Sequence, residues 1–221
     1  MARVLVEGSS TAYGLWGGED GGWADRLKTA LIADSSRQRE FATVVNLASP
    51  LRTVEDIERS LPENAQSYAG KSPARVGVFM VGMSESREVN GEYALPPERF
   101  RSALGRISCI SHDFGYAPIF VGMTPIDEER TSRLRTRYSE ASRKLYDSIA
   151  RESADEHEGR YVDLSAELSE QFPDTSTILD EDGLHVNSVG HAAIHAIVAP
   201  IVKGELKRLK HENPRPTAST P

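Results

Sequence analysis

Apolar residues are distributed along this chain in two rhythms. Five short runs, residues 3–6, 41–46, 75–82, 117–122 and 160–164, are apolar almost without interruption and rich in β-branched or aromatic side chains. That pattern marks strands buried on both faces. Between them, apolar positions recur at helical spacing over residues 23–33, 54–61, 97–111, 133–156 and 188–209. Short buried strands alternating with helices predict a parallel sheet, because parallel neighbours need crossover connections and helices supply them. The expectation is a three-layer α/β/α fold with about five parallel strands in a single domain over residues 1–210. Residues 211–221 (HENPRPTASTP) are polar and proline-rich and read as a frayed, disordered tail.

Composition changes this picture little but narrows the function. With 221 residues, 38% hydrophobic and 27% charged, the chain suits one hydrophobic core. A net charge of −7 works against binding a phosphate backbone, so no nucleic-acid partner is expected. The basic stretch at 203–210 (KGELKRLK) reads as a solvated last helical turn. Cys109 cannot form an internal disulfide, and with Ile107 and Ile110 beside it reads as a small buried side chain on a helix. The N-terminus passes from Met1 straight into a strand-length apolar run with no secretory pattern, which argues for the cytoplasm. No stretch reaches the roughly 18 apolar residues that a membrane span needs. The sequence carries no signature of an oligomeric state.

In parallel sheets, ligands bind beyond the C-terminal ends of the strands. The segments to inspect are therefore Glu7-Gly8-Ser9-Ser10, residues 47–53, Met83-Ser84-Glu85 and, near the end, Asp182-Gly183-Leu184-His185. A Gly-Ser-Ser turn alone is commonly a helix cap or a plain loop. At the edge of the first strand, however, a serine points into the cleft with its own N–H aimed at a developing oxyanion. Asp182 precedes His185 by one tight turn. A carboxylate so placed accepts the proton of one ring nitrogen, fixes the tautomer, and leaves the other nitrogen free to take a hydroxyl proton. The same tetrapeptide also reads as an Asx-type turn carrying an exposed histidine.

These segments together resemble the SGNH/GDSL hydrolase family over a span from Val4 to about His195. Gly8-Ser9-Ser10 looks like the family's Gly-Asp-Ser block, with Ser10 at the nucleophile position and Ser9 replacing the Asp. Residues 46–53 (NLASPLRT) resemble the second block, whose glycine N–H enters the oxyanion hole; Leu51 stands at that glycine. Gly82-Met83-Ser84-Glu85-Ser86 resembles the Gly-X-Asn-Asp block, whose Asn gives the third oxyanion hydrogen bond. Ser84 stands in for the Asn and Glu85 for the Asp. The segment from Asp182 to Ser188, with Gly190-His191, is similar to the fourth block and is the most specific match. Thr124-Pro125-Ile126-Asp127-Glu128 also looks like members of this family.

The resemblance implies a flavodoxin-like fold and an esterase acting on a small-molecule acyl ester or an acetylated substrate, without cofactor or metal. Ser10 would be the nucleophile, His185 the base and Asp182 its orienter, with the N–H groups of Ser10 and Leu51 and the side chain of Ser84 forming the oxyanion hole. Two other readings share the cleft: a degenerate, non-catalytic binding protein, favoured by the changes at Ser9, Leu51 and Ser84, and an acyltransferase using the same triad. A zinc site at His185, His191 and His195 is a further rival, weakened because His191-Ala192-Ala193-Ile194-His195 lacks a glutamate beside its first histidine. Among the remaining residues, Trp23 reads as a staple of the first helix and Trp16 as a candidate for the cleft wall. Arg52 and Arg87 read as surface salt bridges, Glu85 as a loop brace and Asp163 as a helix N-cap. Chain-length and leaving-group preference fall to the loops at 83–97 and 123–137.

Overall fold

The computed structural model describes residues 2–38 and 41–212. Its elements run β1 (Ala2–Gly8), α1 (Ser10–Tyr13), α2 (Trp23–Gln38), β2 (Ala42–Asn46), α3 (Val54–Ala69), β3 (Arg75–Met80), α4 (Met83–Ser86), β4 (Glu88–Val89), β5 (Glu92–Tyr93) and α5 (Pro97–Asp113). They continue with β6 (Ala117–Val121), α6 (Glu128–Thr131), α7 (Glu140–Glu156), β7 (Arg160–Val162), α8 (Leu164–Gln171) and α9 (Ser188–Glu212). Five strands form a parallel sheet in the order β2-β1-β3-β6-β7. This is the flavodoxin-like order, in which the chain reverses direction across the sheet between β1 and β3 and leaves a crevice at their C-terminal ends. Register fixes which residues meet there: Gly8 lies opposite Met80, and Met80 opposite Val121.

The period of two along each strand sorts its side chains between two cores. Val4, Val6, Val76, Val78 and Val121 pack with Trp23, Leu27, Ile194 and Val198 under α2 and α9. Leu5, Phe79 and Phe120 face the other way, against α3, α5 and α7, where Ile57, Phe100 and Tyr146 are buried. Gly77 makes room for this second layer, since a Cβ there would lie 2.8 Å from the Phe79 ring. Trp23 is fully buried, as a staple of α2 must be.

The structure corrects several boundaries. The helix predicted to stop at Leu61 continues through Pro62 to Ala69. Burial of Leu61 and Ala65 on its inner face offsets the roughly 3 kcal/mol that an interior proline costs. The helix predicted over 133–156 starts only after Ser139, whose hydroxyl accepts the Ser142 N–H. Arg137 is instead drawn into backbone pairing with Glu88. The segment 83–97 holds the hairpin β4–β5, turning at Asn90 (φ 55°) and Gly91 (φ 85°). Asparagine and glycine at paired left-handed positions make a type I′ turn. The fifth strand ends at Val162, and Asp163 caps α8 by accepting the Ala166 N–H. Cys109 is exposed, because the buried stripe of α5 runs through Ala103, Leu104, Ile107 and Ser111 and leaves position 109 outside it. His211 and Glu212 belong to α9; residues 213–221 of the expected tail lie outside the described residues. Among the described residues no helix is long and apolar enough to cross a membrane.

Phe79 lies on a central strand and stacks on Phe120 with ring centroids 5.5 Å apart. Phe79→Ala is expected to destabilise the fold by about 3–5 kcal/mol. Urea unfolding measures this, and a loss below about 1 kcal/mol would contradict the packing described.

Candidate active site

The site begins where β1 gives way to α1. A Cβ on Gly8 would stand 2.5 Å from the Met80 carbonyl oxygen and 2.7 Å from the Ala12 Cβ. Glycine alone therefore lets α1 press against the end of β3, and Ser10 is the first residue of that helix, half-buried at the sheet edge. Asn46, at the end of β2, pins the helix from the side. Its Nδ2 donates to the Ala12 carbonyl at 2.9 Å and its Oδ1 accepts the Ala48 N–H at 3.0 Å. The sequence reading placed Asn46 at the start of the second block but gave it no task, although a polar side chain closing an apolar strand was the available signal.

From the far end of the chain, a turn centred on Gly183 (φ 70°) delivers His185 to the same place. A Cβ at Gly183 would come within 2.5 Å of the Arg130 Cβ, and the Gly183 carbonyl accepts the Asp127 N–H at 2.8 Å. The loop after β6 thus carries the turn. Asp182 Oδ1 accepts the N–H groups of Leu184 and His185, each at 2.9 Å, and Oδ2 sits 2.6 Å from His185 Nδ1. Burial raises the Asp182 pKa, but the hydrogen bonds from the His185 ring and from the two N–H groups outweigh it, so the carboxyl lies below its ordinary value. His185 Nε2 faces Ser10 Oγ at 2.9 Å across 175 residues of sequence. With the carboxylate on Nδ1, that nitrogen carries the proton and Nε2 is the acceptor for the serine hydroxyl.

The other histidines are otherwise employed. His191 is buried; its Nδ1 accepts the Trp23 N–H at 3.3 Å and its Nε2 lies 2.8 Å from the Leu15 carbonyl. Nε2 is therefore the donor and the ring is neutral, consistent with a pKa pushed down chiefly by burial. Both ring nitrogens are committed to holding α2 and the loop after α1 against α9. Burial likewise lowers the pKa of His195. Among the described residues no group of three His, Cys, Asp or Glu is arranged to hold a metal ion.

The loops after β2 and β3 flank Ser10 from the other side. Leu51 has φ 65°, the left-handed conformation usual for glycine, and its side chain is 72% exposed. The turn is kept with leucine at a conformational cost of about 1–2 kcal/mol. Ser84 turns its hydroxyl onto Ser9, donating to Ser9 Oγ at 3.0 Å. Glu85 is a brace, as the sequence implied, and a deep one: fully buried, it accepts the Val54 N–H at 2.6 Å and the Gly82 N–H at 2.9 Å. One carboxylate thereby joins the second loop to the third. Burial raises its pKa against the hydrogen bonds that lower it.

Arg52 is not the surface salt bridge expected of it. It reaches inward to Glu7 Oε2 at 2.8 Å and also donates to the Leu47 carbonyl and the Ser60 hydroxyl. Glu7 is wholly buried in β1, three residues before Ser10, and also accepts from Asn64 Nδ2 at 3.0 Å. Arg87 departs from the surface reading too, since its Nε is buried without a hydrogen-bond partner among the described residues. Trp16 (φ 64°) is more than half exposed on the loop after α1, as are Tyr13 on that helix and Val189 near the start of α9.

Burial pushes the Glu7 pKa from 4.5 up to about 7, against the opposing pull of Arg52 and Asn64. A carboxyl with a higher pKa folded than unfolded binds more protons in the native state between those values. Stability therefore falls as pH rises from about 4.5 to 7. Glu7→Gln is expected to remove this slope, so that wild type loses roughly 1–3 kcal/mol relative to the variant between pH 5 and pH 8. Urea titrations at the two pH values measure it; parallel slopes in the two proteins would refute a protonated native Glu7.

Residues 7–193 match the model of the GDSL-like lipase/acylhydrolase family. No curated protein of similar sequence was found. Among solved structures, the chain resembles the lipase/acylhydrolase from Enterococcus faecalis, with 21% identity, 93% of this chain and 97% of that one covered, and a TM-score of 0.73. A variant of the acetyl xylan esterase Axe2 from Geobacillus stearothermophilus is 16% identical, with 91% and 94% covered and a TM-score of 0.71. The esterase EstA from Pseudoalteromonas sp. is 12% identical, with 94% and 100% covered and a TM-score of 0.69. At such identities the structural likeness speaks for the fold, while the family match covers most of the chain. The protein belongs to the GDSL-like lipase/acylhydrolase family of ester hydrolases.

Proposed function

We propose that the protein hydrolyses small-molecule acyl esters through an acyl-enzyme on Ser10. The observation that carries this reading is the unbroken chain from Ser10 Oγ to His185 Nε2 (2.9 Å) and from His185 Nδ1 to Asp182 Oδ2 (2.6 Å). His185 takes the Ser10 proton as the hydroxyl attacks the ester carbonyl. The imidazolium, steadied by Asp182, then passes that proton to the departing alkoxide as the carbonyl–alkoxide bond breaks. Water repeats the sequence on the acyl-enzyme, with His185 again as base, and releases the carboxylic acid and free Ser10.

The tetrahedral oxyanion is assigned to the N–H groups of Ser10 and Leu51 and to the hydroxyl of Ser84. The left-handed φ of Leu51 supports its part, because it is the conformation that glycine, the residue of the family's block at this place, adopts most readily. Ser84 exchanges its bond to Ser9 for one to the oxyanion, a rotation about a single side-chain torsion. The structural neighbours named above, an acylhydrolase, an esterase and an acetyl xylan esterase, agree with an ester substrate.

Ser10→Ala is expected to abolish both p-nitrophenyl acetate hydrolysis and labelling by a fluorophosphonate; turnover undiminished by that substitution overturns the proposal. Asp182→Asn should lower kcat on the order of 10³–10⁴-fold, because the imidazole loses its tautomeric bias. Ser84→Ala should cost up to about 10²–10³ in kcat with little change in KM, the mark of a bond made in the transition state alone.

A further inference from the structure

A cavity of about 30 Å³ opens beside Ser10, bounded by the ends of β1 and β3 and the loops that follow β2, β3 and β6. Its apolar lining comes from Ala12, Met80, Val81, Met83 and Met123. Neither His185 nor Asp182 lines it. On the hydrolase reading above, the departing alcohol must lie beside His185, which hands it a proton. The acyl chain then points to the opposite side of Ser10, where this cavity lies. We infer that the cavity is the acyl subsite and that its size restricts the enzyme to acyl groups of two or three carbons.

Volume sets the limit. One water-sized sphere takes about 10–15 Å³, so the cavity admits about two such spheres, the space of a very short alkyl group. That space matches the carbons of an acetyl or propionyl group beyond the carbonyl; a longer chain presses on the lining. Met123 is part of that lining and has little freedom to yield. It is 2% exposed, its N–H is held by Asp147 Oδ1 at 2.9 Å, and its sulfur lies 3.9 Å from the Ser86 hydroxyl. A Cβ at Gly82 would stand 3.1 Å from the Met123 Sδ and Cε, so glycine at 82 is what lets the methionine close the pocket. The charged groups that reach the lining, Arg52 and Glu85, are spent on Glu7 and on the Val54 and Gly82 N–H groups. Ser9, Thr11 and Thr124 also line the cavity beside Ser10, but its exposed surface is mainly apolar and suited to a short alkyl group.

The test is a series of p-nitrophenyl esters from acetate to octanoate, with the leaving group constant, run on wild type, Met123→Ala and Met83→Ala. Wild type should show kcat/KM for acetate and propionate at least about tenfold above that for hexanoate and octanoate, the discrimination that methylene-scale pocket fit provides. At least one alanine variant should raise the octanoate-to-acetate ratio tenfold or more. A wild-type preference that rises with chain length, or a ratio unmoved in both variants, overturns the acyl-length assignment and leaves the hydrolase reading standing. Absence of turnover on every ester, together with absence of fluorophosphonate labelling, overturns both.

Discussion

Buried carboxylates hold the C-terminal edge of this sheet together. Loops that leave parallel strands carry N–H groups that no neighbouring strand can satisfy, and an unpaired buried amide costs about as much as a lost hydrogen bond. Glu85 collects two of them, from Val54 and Gly82, and so ties the loop bearing Leu51 to the loop bearing Ser84. Glu7 does the corresponding task through Arg52, whose guanidinium grips the Leu47 carbonyl and the Ser60 hydroxyl. Asp182 does it for the histidine turn. In each case one carboxyl group is matched by several donors, and the backbone gains a fixed course around Ser10.

The family's polar pattern is redistributed in this chain. Where relatives by motif have an Asp before the nucleophile and an Asn in the third block, this chain has Ser9 and Ser84, and the two hydroxyls touch. The substitutions thus form one contact, a small polar pair beside Ser10. Leu51 departs differently. The backbone accepts strain to hold its turn, and a hydrophobic side chain is presented to solvent beside the cleft. Tyr13, Trp16 and Val189 are likewise more than half exposed.

Much of the fold was legible in the chain because buried parallel strands write themselves as continuous apolar runs, and the βα alternation leaves little choice of topology. Boundaries were less legible where tertiary packing outweighed a local signal, as at Pro62 in α3, or where the chain was drawn off to pair elsewhere, as around Arg137. The meeting of Ser10 with Asp182 and His185 could be anticipated from strand-end position and from one short turn. The partnership of Glu7 with Arg52 and Asn64 could not. Nothing in the pattern around a strand glutamate says that an asparagine 57 residues later will face it. Asn90-Gly91 was a readable hairpin signal that the long loop around it obscured.

That hairpin binds two parts of the chain into one. Glu88 exchanges backbone hydrogen bonds with Arg137, accepts the Ser142 hydroxyl at 3.0 Å, and lies 3.6 Å from the Arg137 guanidinium. The excursion after β3 and the segment leading into α7 are consequently one mechanical piece, although some fifty residues separate them. A change of length in either segment disturbs its pairing with the other, so redesigning one means redesigning both as a matched pair.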